Sequence, residues 1–200
     1  MDSTEELTVV PEEDKNFVPS EPKPAINYGW LRVLLFIVAT GISLVIAQLI
    51  ALPVIGLLYA VPIMKLFSPG SEELIQSLGI NATLILQFFG FGGMLFMTWI
   101  FRKFIDRKSF ISLGFEVKGY IGDFLQGFGW GVGIITFGFV ALYFTGNITI
   151  TNFQFNFTQL LLYFIFFIIV ALNEEIMVRG YMLNNLFESM NKYLALFLTA

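Results

Sequence analysis

The residues best suited to chemistry follow directly after an apolar run from Leu160 to Leu172. The chain there reads Asn173, Glu174, Glu175 and, four residues further on, Arg179. Two carboxylates at the edge of a lipid-spanning helix cost on the order of 2.5–3.5 kcal/mol each, so they require a partner or a role. On an α-helix Glu175 and Arg179 lie on one face with the acid nearer the N-terminus, which is the favoured order for an ion pair.

The same helical geometry separates the roles of the two acids. Glu174 lies about 100° round the helix from Glu175, so it does not readily share the ion pair with Arg179. We expect Glu175 to be held ionised by Arg179 and Glu174 to be the less compensated carboxylate, as a general base requires. Asn173 is placed to add an amide to this site. On charge and spacing alone, the alternative is a salt bridge that packs helices or lies at the membrane interface.

Composition narrows both the chemistry and the class of protein. The 200 residues contain no Cys and no His, which excludes disulfides, thiolate metal sites and any imidazole-based site built from this sequence. Hydrophobic residues make up 56% of the chain and charged residues 13%, and the mean hydropathy is +0.78. So little polar surface cannot cover a soluble globule, and the sequence predicts an integral membrane protein.

The apolar stretches define the elements that must position these residues. A helix needs about 20 mostly apolar residues to cross roughly 30 Å of hydrocarbon. The predicted fold class is all-α integral membrane, a polytopic helix bundle with four complete transmembrane helices and the start of a fifth, at about residues 30–51, 81–101, 121–144, 155–178 and 193–200. A chain that stops within a helix leaves apolar surface and carbonyls unsatisfied, so we expect the sequence to be a fragment of a longer protein.

Two features inside the spans carry further predictions. Pro53 removes a backbone hydrogen bond, so we expect the first helix to break there and to continue as an interfacial segment to about Leu66. The third span contains glycines at positions 127, 129, 131 and 133. This spacing predicts a face on which another helix packs closely.

The distribution of charge predicts the orientation. Residues 1–29 hold seven of the 15 acids, so this segment is expected to be a disordered acidic cytosolic tail. Cytosolic loops collect Lys and Arg. The loop between the second and third spans is the most basic, with Arg102, Lys103, Arg107, Lys108 and Lys118. We therefore expect a multi-pass protein of the cell membrane with a cytosolic N-terminus, and no nucleic-acid partner.

The string Glu174-Glu175-x-x-x-Arg179-Gly180 at the end of an apolar helix resembles the first motif of the CPBP family. These are the CAAX-protease and bacteriocin-processing (Abi-type) intramembrane peptidases. The similarity extends upstream to positions that precede the motif in that family, namely Arg107, Ser112-Leu113-Gly114 and Asp123-Phe124-Leu125-x-Gly127.

The resemblance implies an intramembrane endopeptidase that cleaves membrane-associated or prenylated peptides, with residues 30–200 as an incomplete peptidase-like transmembrane domain. It implies that Glu174 activates water and that Glu175 and Arg179 support and orient it. In the family two histidines on later helices assist, and a divalent metal such as zinc is an implied cofactor of the complete protein. Since no His is present, these ligands are expected downstream of Ala200, and the chain as given is expected to be inactive.

The alternative from another class is a non-enzymatic polytopic membrane protein, such as a transport subunit, an immunity protein or a scaffold. A proton or cation path requires acidic residues on more than one helix. In the first three spans the sequence offers only Asp123 as an acid, together with the amides Gln87 and Gln126, which weakens the transport interpretation.

Overall fold

The computed structural model describes residues 23–114, 119–152 and 155–200. These ranges are helical and contain no strand, which confirms the predicted all-α class. Residues 1–22 of the predicted tail and Lys118 of the basic loop lie outside the described residues. The α-helices are α1 Gly29–Tyr59, α2 Ile63–Leu66, α3 Ser71–Ser77, α4 Ile80–Ile100, α5 Ile121–Phe144, α6 Phe157–Glu174, α7 Leu183–Phe187 and α8 Lys192–Thr199.

Two of the long helices continue without a break into wider, π-helical turns. α4 runs on through Phe101–Ile105, and α6 runs on through Glu175–Met182 into α7. With these continuations, the described part of the chain has four helices long and apolar enough to cross a membrane, which confirms a multi-pass membrane protein. π-Helical turns are rare and occur frequently at functional sites. The second of them begins within the predicted catalytic motif.

The expected break at Pro53 is wrong. α1 continues through Pro53 and ends six residues later, where Ala60 adopts a left-handed conformation with φ 53° and its N–H bonds to the carbonyl of Gly56. A proline removes only one backbone hydrogen bond and is tolerated within membrane helices. Pro62, two residues after the left-handed cap, cannot resume the same helix, so the turn falls there instead.

Helix α4 is the central element, because α1 and α6 both pack against it. The contact between α1 and α4 depends on Gly93, whose carbonyl accepts a hydrogen bond from Ser43 at 3.0 Å. A Cβ at Gly93 would lie 3.0 Å from Ser43 Oγ and 3.3 Å from Ala47 Cβ. Close approach of this kind is how membrane helices gain dispersion contacts.

The predicted packing face of the third span has no partner within the described residues. No residue of α5 is buried. Apart from the helix's own backbone, no described atom lies within 4 Å of a Cβ placed on any glycine from 127 to 133. The close approach of α1 and α4 therefore takes place at Gly93 of α4 and not at the glycines of α5.

A buried carboxylate holds together the end of the bundle where α1 begins. Asp106 is fully buried and follows the π-helical end of α4. Its Oδ1 lies 3.0 Å from Arg32 Nη1, and its Oδ2 lies 3.2 Å from Arg102 Nη1. Tyr181 Oη donates to Oδ1 at 3.4 Å and Asn185 Nδ2 donates to Oδ2 at 3.3 Å. We call these five residues the Asp106 cluster.

An aromatic layer covers the Asp106 cluster. The rings of Phe36 and Tyr181 have centroids 4.1 Å apart, and Phe101 meets Tyr181 edge to face at 6.0 Å. All three rings are buried and pack with Leu113. The layer shields the cluster from lipid, so Tyr181 contributes both a hydroxyl donor and apolar cover.

Glu188 extends the cluster outward. Its carboxylate accepts a hydrogen bond from Arg32 and pairs with Lys108 Nζ at 2.9 Å. Burial of Glu188 disfavours its charge, but the hydrogen bonds from Arg32 and Lys108 outweigh burial. The pKa of Glu188 therefore lies below its ordinary value.

We expect Asp106→Asn to lower the free energy of unfolding by about 3–5 kcal/mol, because it leaves Arg102 buried without a carboxylate and Arg32 with Glu188 as its remaining acidic partner. Thermal unfolding in detergent, followed by intrinsic fluorescence, measures the change. The matched control is Glu175→Gln, which breaks an exposed pair worth about 1 kcal/mol or less. Equal shifts for the two variants would contradict a stabilising role for Asp106.

A paired substitution tests the glycine contacts. Gly93→Leu should destabilise the chain by about 1–3 kcal/mol, since the side chain overpacks the contact with Ser43 and Ala47. Gly131→Leu adds the same atoms where no described neighbour lies within 4 Å, so it should leave the unfolding temperature unchanged. A larger loss for Gly131→Leu would show that α5 is the packed helix.

The pH dependence of stability follows from Glu188. Because its pKa is lowered in the folded state, its ion pairs stabilise above the ordinary value of 4.5 and lose this contribution as pH falls through the lowered pKa. The difference in unfolding temperature between the wild type and Glu188→Gln should therefore be largest at about pH 7 and shrink towards about pH 3. A difference that does not change with pH would refute this contribution.

Candidate functional site

The two glutamates of the motif stand at the junction between two helical forms. Glu174 is the last residue of α6, and Glu175 is the first residue of the π-helical segment Glu175–Met182. The spacing of the motif predicts an ordinary α-helix, so the wider turn is a feature that only the structure reveals. Both carboxylates are exposed in the described chain.

The predicted ion pair is present. Arg179 Nη1 lies 2.9 Å from Glu175 Oε2, with 70% of the Arg179 side chain and 57% of the Glu175 side chain exposed. The carboxylate of Glu174 makes neither an ion pair nor a hydrogen bond with any described residue, although its backbone is part of α6. The geometry therefore distinguishes the two acids in the predicted sense, with one carboxylate paired and the other uncommitted.

A cavity of about 580 Å³ lies at the motif. Its lining includes Glu174, Glu175 and Arg179 on one side and Thr199, in the last turn of α8, on the other. The three candidate catalytic residues thus line the same cavity, which is large enough to hold a water molecule and a segment of peptide. An uncommitted carboxylate in such a space is suited to accepting a proton from water.

Asn173 adds a second polar group beside the motif. Its Oδ1 is buried and has no hydrogen-bond partner among the described residues. An unsatisfied buried amide oxygen costs about 1–3 kcal/mol, so it is a group that gains from a donor supplied by another molecule or segment. The sequence prediction placed this amide at the site, and the structure leaves its oxygen unpaired.

The inner part of the motif helix is fixed by contacts that the sequence did not predict. Gly180 packs against the turn at Leu113, whose carbonyl oxygen would lie 3.4 Å from a Cβ at position 180. The next residue, Tyr181, and Asn185 one turn further on both donate hydrogen bonds to Asp106. The motif glycine and the upstream Leu113, both singled out by the family resemblance, are thus neighbours.

The other upstream positions are not brought to the motif. Asp123 and Gly127 are exposed on α5, and Arg107 is exposed on the turn that follows Asp106. No pattern in the sequence identified Arg32, Asp106 and Tyr181 together as the residues that position the motif helix. One signal was available, since Arg32 is the only charged residue in the predicted first span.

The residues present do not fit a metal site. Across residues 23–114, 119–152 and 155–200 there is no group of three carboxylate, imidazole or thiolate side chains that could hold an ion. Glu174 and Glu175 together supply two carboxylates, and one of these is paired with Arg179. Zinc sites use three or four protein ligands. No catalytic step is therefore assigned to a metal on these residues.

Comparison with known proteins agrees with the motif. Residues 155–200 match the family model described as Type II CAAX prenyl endopeptidase Rce1-like. No curated protein and no solved structure matches the chain. The matched segment contains α6, the whole Glu174-Glu175-x-x-x-Arg179-Gly180 motif and α8. Over this segment the chain is similar to the CAAX prenyl endopeptidases, which supports the resemblance to the CPBP family.

Proposed function

We propose that this chain supplies the catalytic glutamate of an intramembrane endopeptidase that cleaves membrane-associated or prenylated peptides. The observation that carries the proposal is the family match over residues 155–200. In this segment the carboxylate of Glu174 has no partner among the described residues, and it lines a cavity next to the Glu175–Arg179 ion pair. The description of the matching family as a CAAX prenyl endopeptidase supports the choice of substrate class.

In the proposed reaction Glu174 accepts a proton from a water molecule. The water oxygen then attacks the carbonyl carbon of the scissile peptide bond, and the tetrahedral intermediate collapses with loss of the amine. Glu174 returns its proton to that amine, so the carboxylate is regenerated. Glu175 and Arg179 hold each other in place, and Arg179 has further N–H groups with which to orient the peptide carbonyl.

The other groups that the family resemblance implies are two histidines, and these 200 residues contain none. In this proposal the chain therefore contributes the catalytic carboxylate and none of the histidines. The developing negative charge on the carbonyl oxygen needs donors, and such donors typically account for a large part of the rate enhancement. Peptide cleavage should accordingly be measured on the full-length product of the gene.

We further propose that the motif lies near the cytosolic face of the cell membrane, with the N-terminus on the same side. The support is the clustering of basic residues at one end of the bundle, where Arg102 and Lys108 meet α7 and its flanking residue Glu188. Short loops rich in Lys and Arg face the cytosol. The cavity at Glu174 would then admit peptides from the cytosolic leaflet.

Glu174→Gln in the full-length product should lower cleavage of a farnesylated peptide with a C-terminal CAAX sequence by about 10²–10⁴-fold, the range that general-base catalysis contributes. The substitution keeps the size and hydrogen-bonding shape of the side chain but removes the base. Cleavage is measured by mass spectrometry after reconstitution into liposomes, together with membrane insertion and unfolding temperature.

The matched control is Glu73→Gln, which makes the same chemical change in the first turn of α3 and should leave cleavage unchanged. Retained cleavage by Glu174→Gln would remove Glu174 from the mechanism. Failure of the wild-type full-length protein to cleave any prenylated peptide, despite correct insertion, would favour the non-enzymatic alternative.

A further inference from the structure

A second cavity, of about 460 Å³, lies beside the Asp106 cluster and shares no lining residue with the cavity at Glu174. One wall is the turn from Arg102 to Ser112, and the facing wall is formed by Asn184 and Glu188. We call this space the basic cavity, because three of its lining side chains are the cations Arg102, Arg107 and Lys108. The proposed peptidase function makes no use of it.

The charge of the basic cavity is only partly neutralised by its own walls. Among the described residues that line the cavity, Glu188 is the one acid. The two oxygens of that carboxylate are already engaged, one by Lys108 and the other by Arg32. Arg102 is paired with the buried Asp106 behind it, and Asp106 is shared with Arg32. The lining therefore keeps an excess of positive charge, which attracts an anion.

Arg107 is the cation best placed to bind such an anion. It is exposed, and among the described residues its guanidinium makes one hydrogen bond, a long contact of 3.5 Å to the carbonyl of Lys23. Its backbone has φ 57°, a left-handed conformation that is uncommon for a residue other than glycine. Non-glycine residues held in this conformation cluster at binding sites.

Hydroxyl and amide groups complete the lining. Ser109, Ser112 and Asn184 line the cavity together with the cations. The Ser112 hydroxyl and one N–H of Asn184 already donate to backbone carbonyls, which leaves the Ser109 hydroxyl and the second N–H of Asn184 as donors. A guanidinium that donates in a fork, supported by these two groups, matches the oxygens of a phosphate group. The side chains that line this cavity are thus suited to a phosphate group rather than to an apolar ligand.

The position of the basic cavity points to the source of the phosphate. It adjoins the end of α4, where Lys103 Nζ lies 4.8 Å from the centre of the exposed Trp99 ring. Trp together with a nearby Lys at a helix end is typical of the membrane interface. We propose that the basic cavity binds the phosphate headgroup of an anionic phospholipid, with Arg107 as the principal ligand.

Binding to the purified chain in detergent is measured by native mass spectrometry with dioleoyl phosphatidylglycerol. Arg107→Gln should weaken binding about tenfold, as expected for the loss of one charge-assisted hydrogen bond. Because Arg107 is exposed and makes one long hydrogen bond, the variant should keep its unfolding temperature. The matched control is Lys103→Gln, which removes the same charge from the same segment outside the cavity and should change binding less than twofold.

Two further probes decide the source and the site. Dioleoyl phosphatidylcholine, whose headgroup is zwitterionic, should bind at least about tenfold more weakly than phosphatidylglycerol. If inorganic phosphate alone binds as tightly as the lipid and with the same dependence on Arg107, the ligand is a free phosphate and the lipid proposal is overturned. Equal weakening by Arg107→Gln and Lys103→Gln shows a general charge effect and overturns the site.

Discussion

A carboxylate removed from water inside a membrane protein is stable only where donors surround it, and Asp106 meets this condition with donors from three parts of the chain. Arg32 comes from the start of α1, Arg102 from the end of α4, and Tyr181 and Asn185 from the helix that carries the motif. Each buried charge costs several kcal/mol unless its partners are close. The three helix ends therefore cannot move apart independently, and the position of the motif helix follows from this constraint.

The constraint acts on one end of the motif helix and leaves the other end available for chemistry. Gly180 packs against Leu113, and Tyr181 packs against Phe36 and Phe101. Glu174 and Glu175, in the turns that precede Gly180, are exposed. The carboxylates that stabilise the fold and the carboxylate proposed to activate water are thus different residues. Such a division lets the proposed site keep an unpaired acid without loss of the packing that positions it.

Local features were predictable because they depend on spacing along one helix. The membrane class, the helical fold and the Glu175–Arg179 pair follow from hydropathy and from the i, i+4 geometry. The Asp106 cluster was not predictable in this way, since Arg32 and Asp106 are 74 positions apart and meet only after α1 packs on α4. Pro53 and the glycines of α5 show the same limit. Both are strong local signals, yet α1 continues through Pro53 and no described helix packs on the glycines of α5.

The sequence by itself determined the solvent, the all-helical class and the identity of the chemical motif, because these depend on composition, on length and on residues within one turn of each other. Tertiary structure decided which charges are buried together, where the first helix ends and that the motif continues as a π-helix. It also separated two cavities, one at Glu174 and one at Arg107. The physical reason is that burial and long-range pairing depend on which helices meet, and no local pattern contains that information.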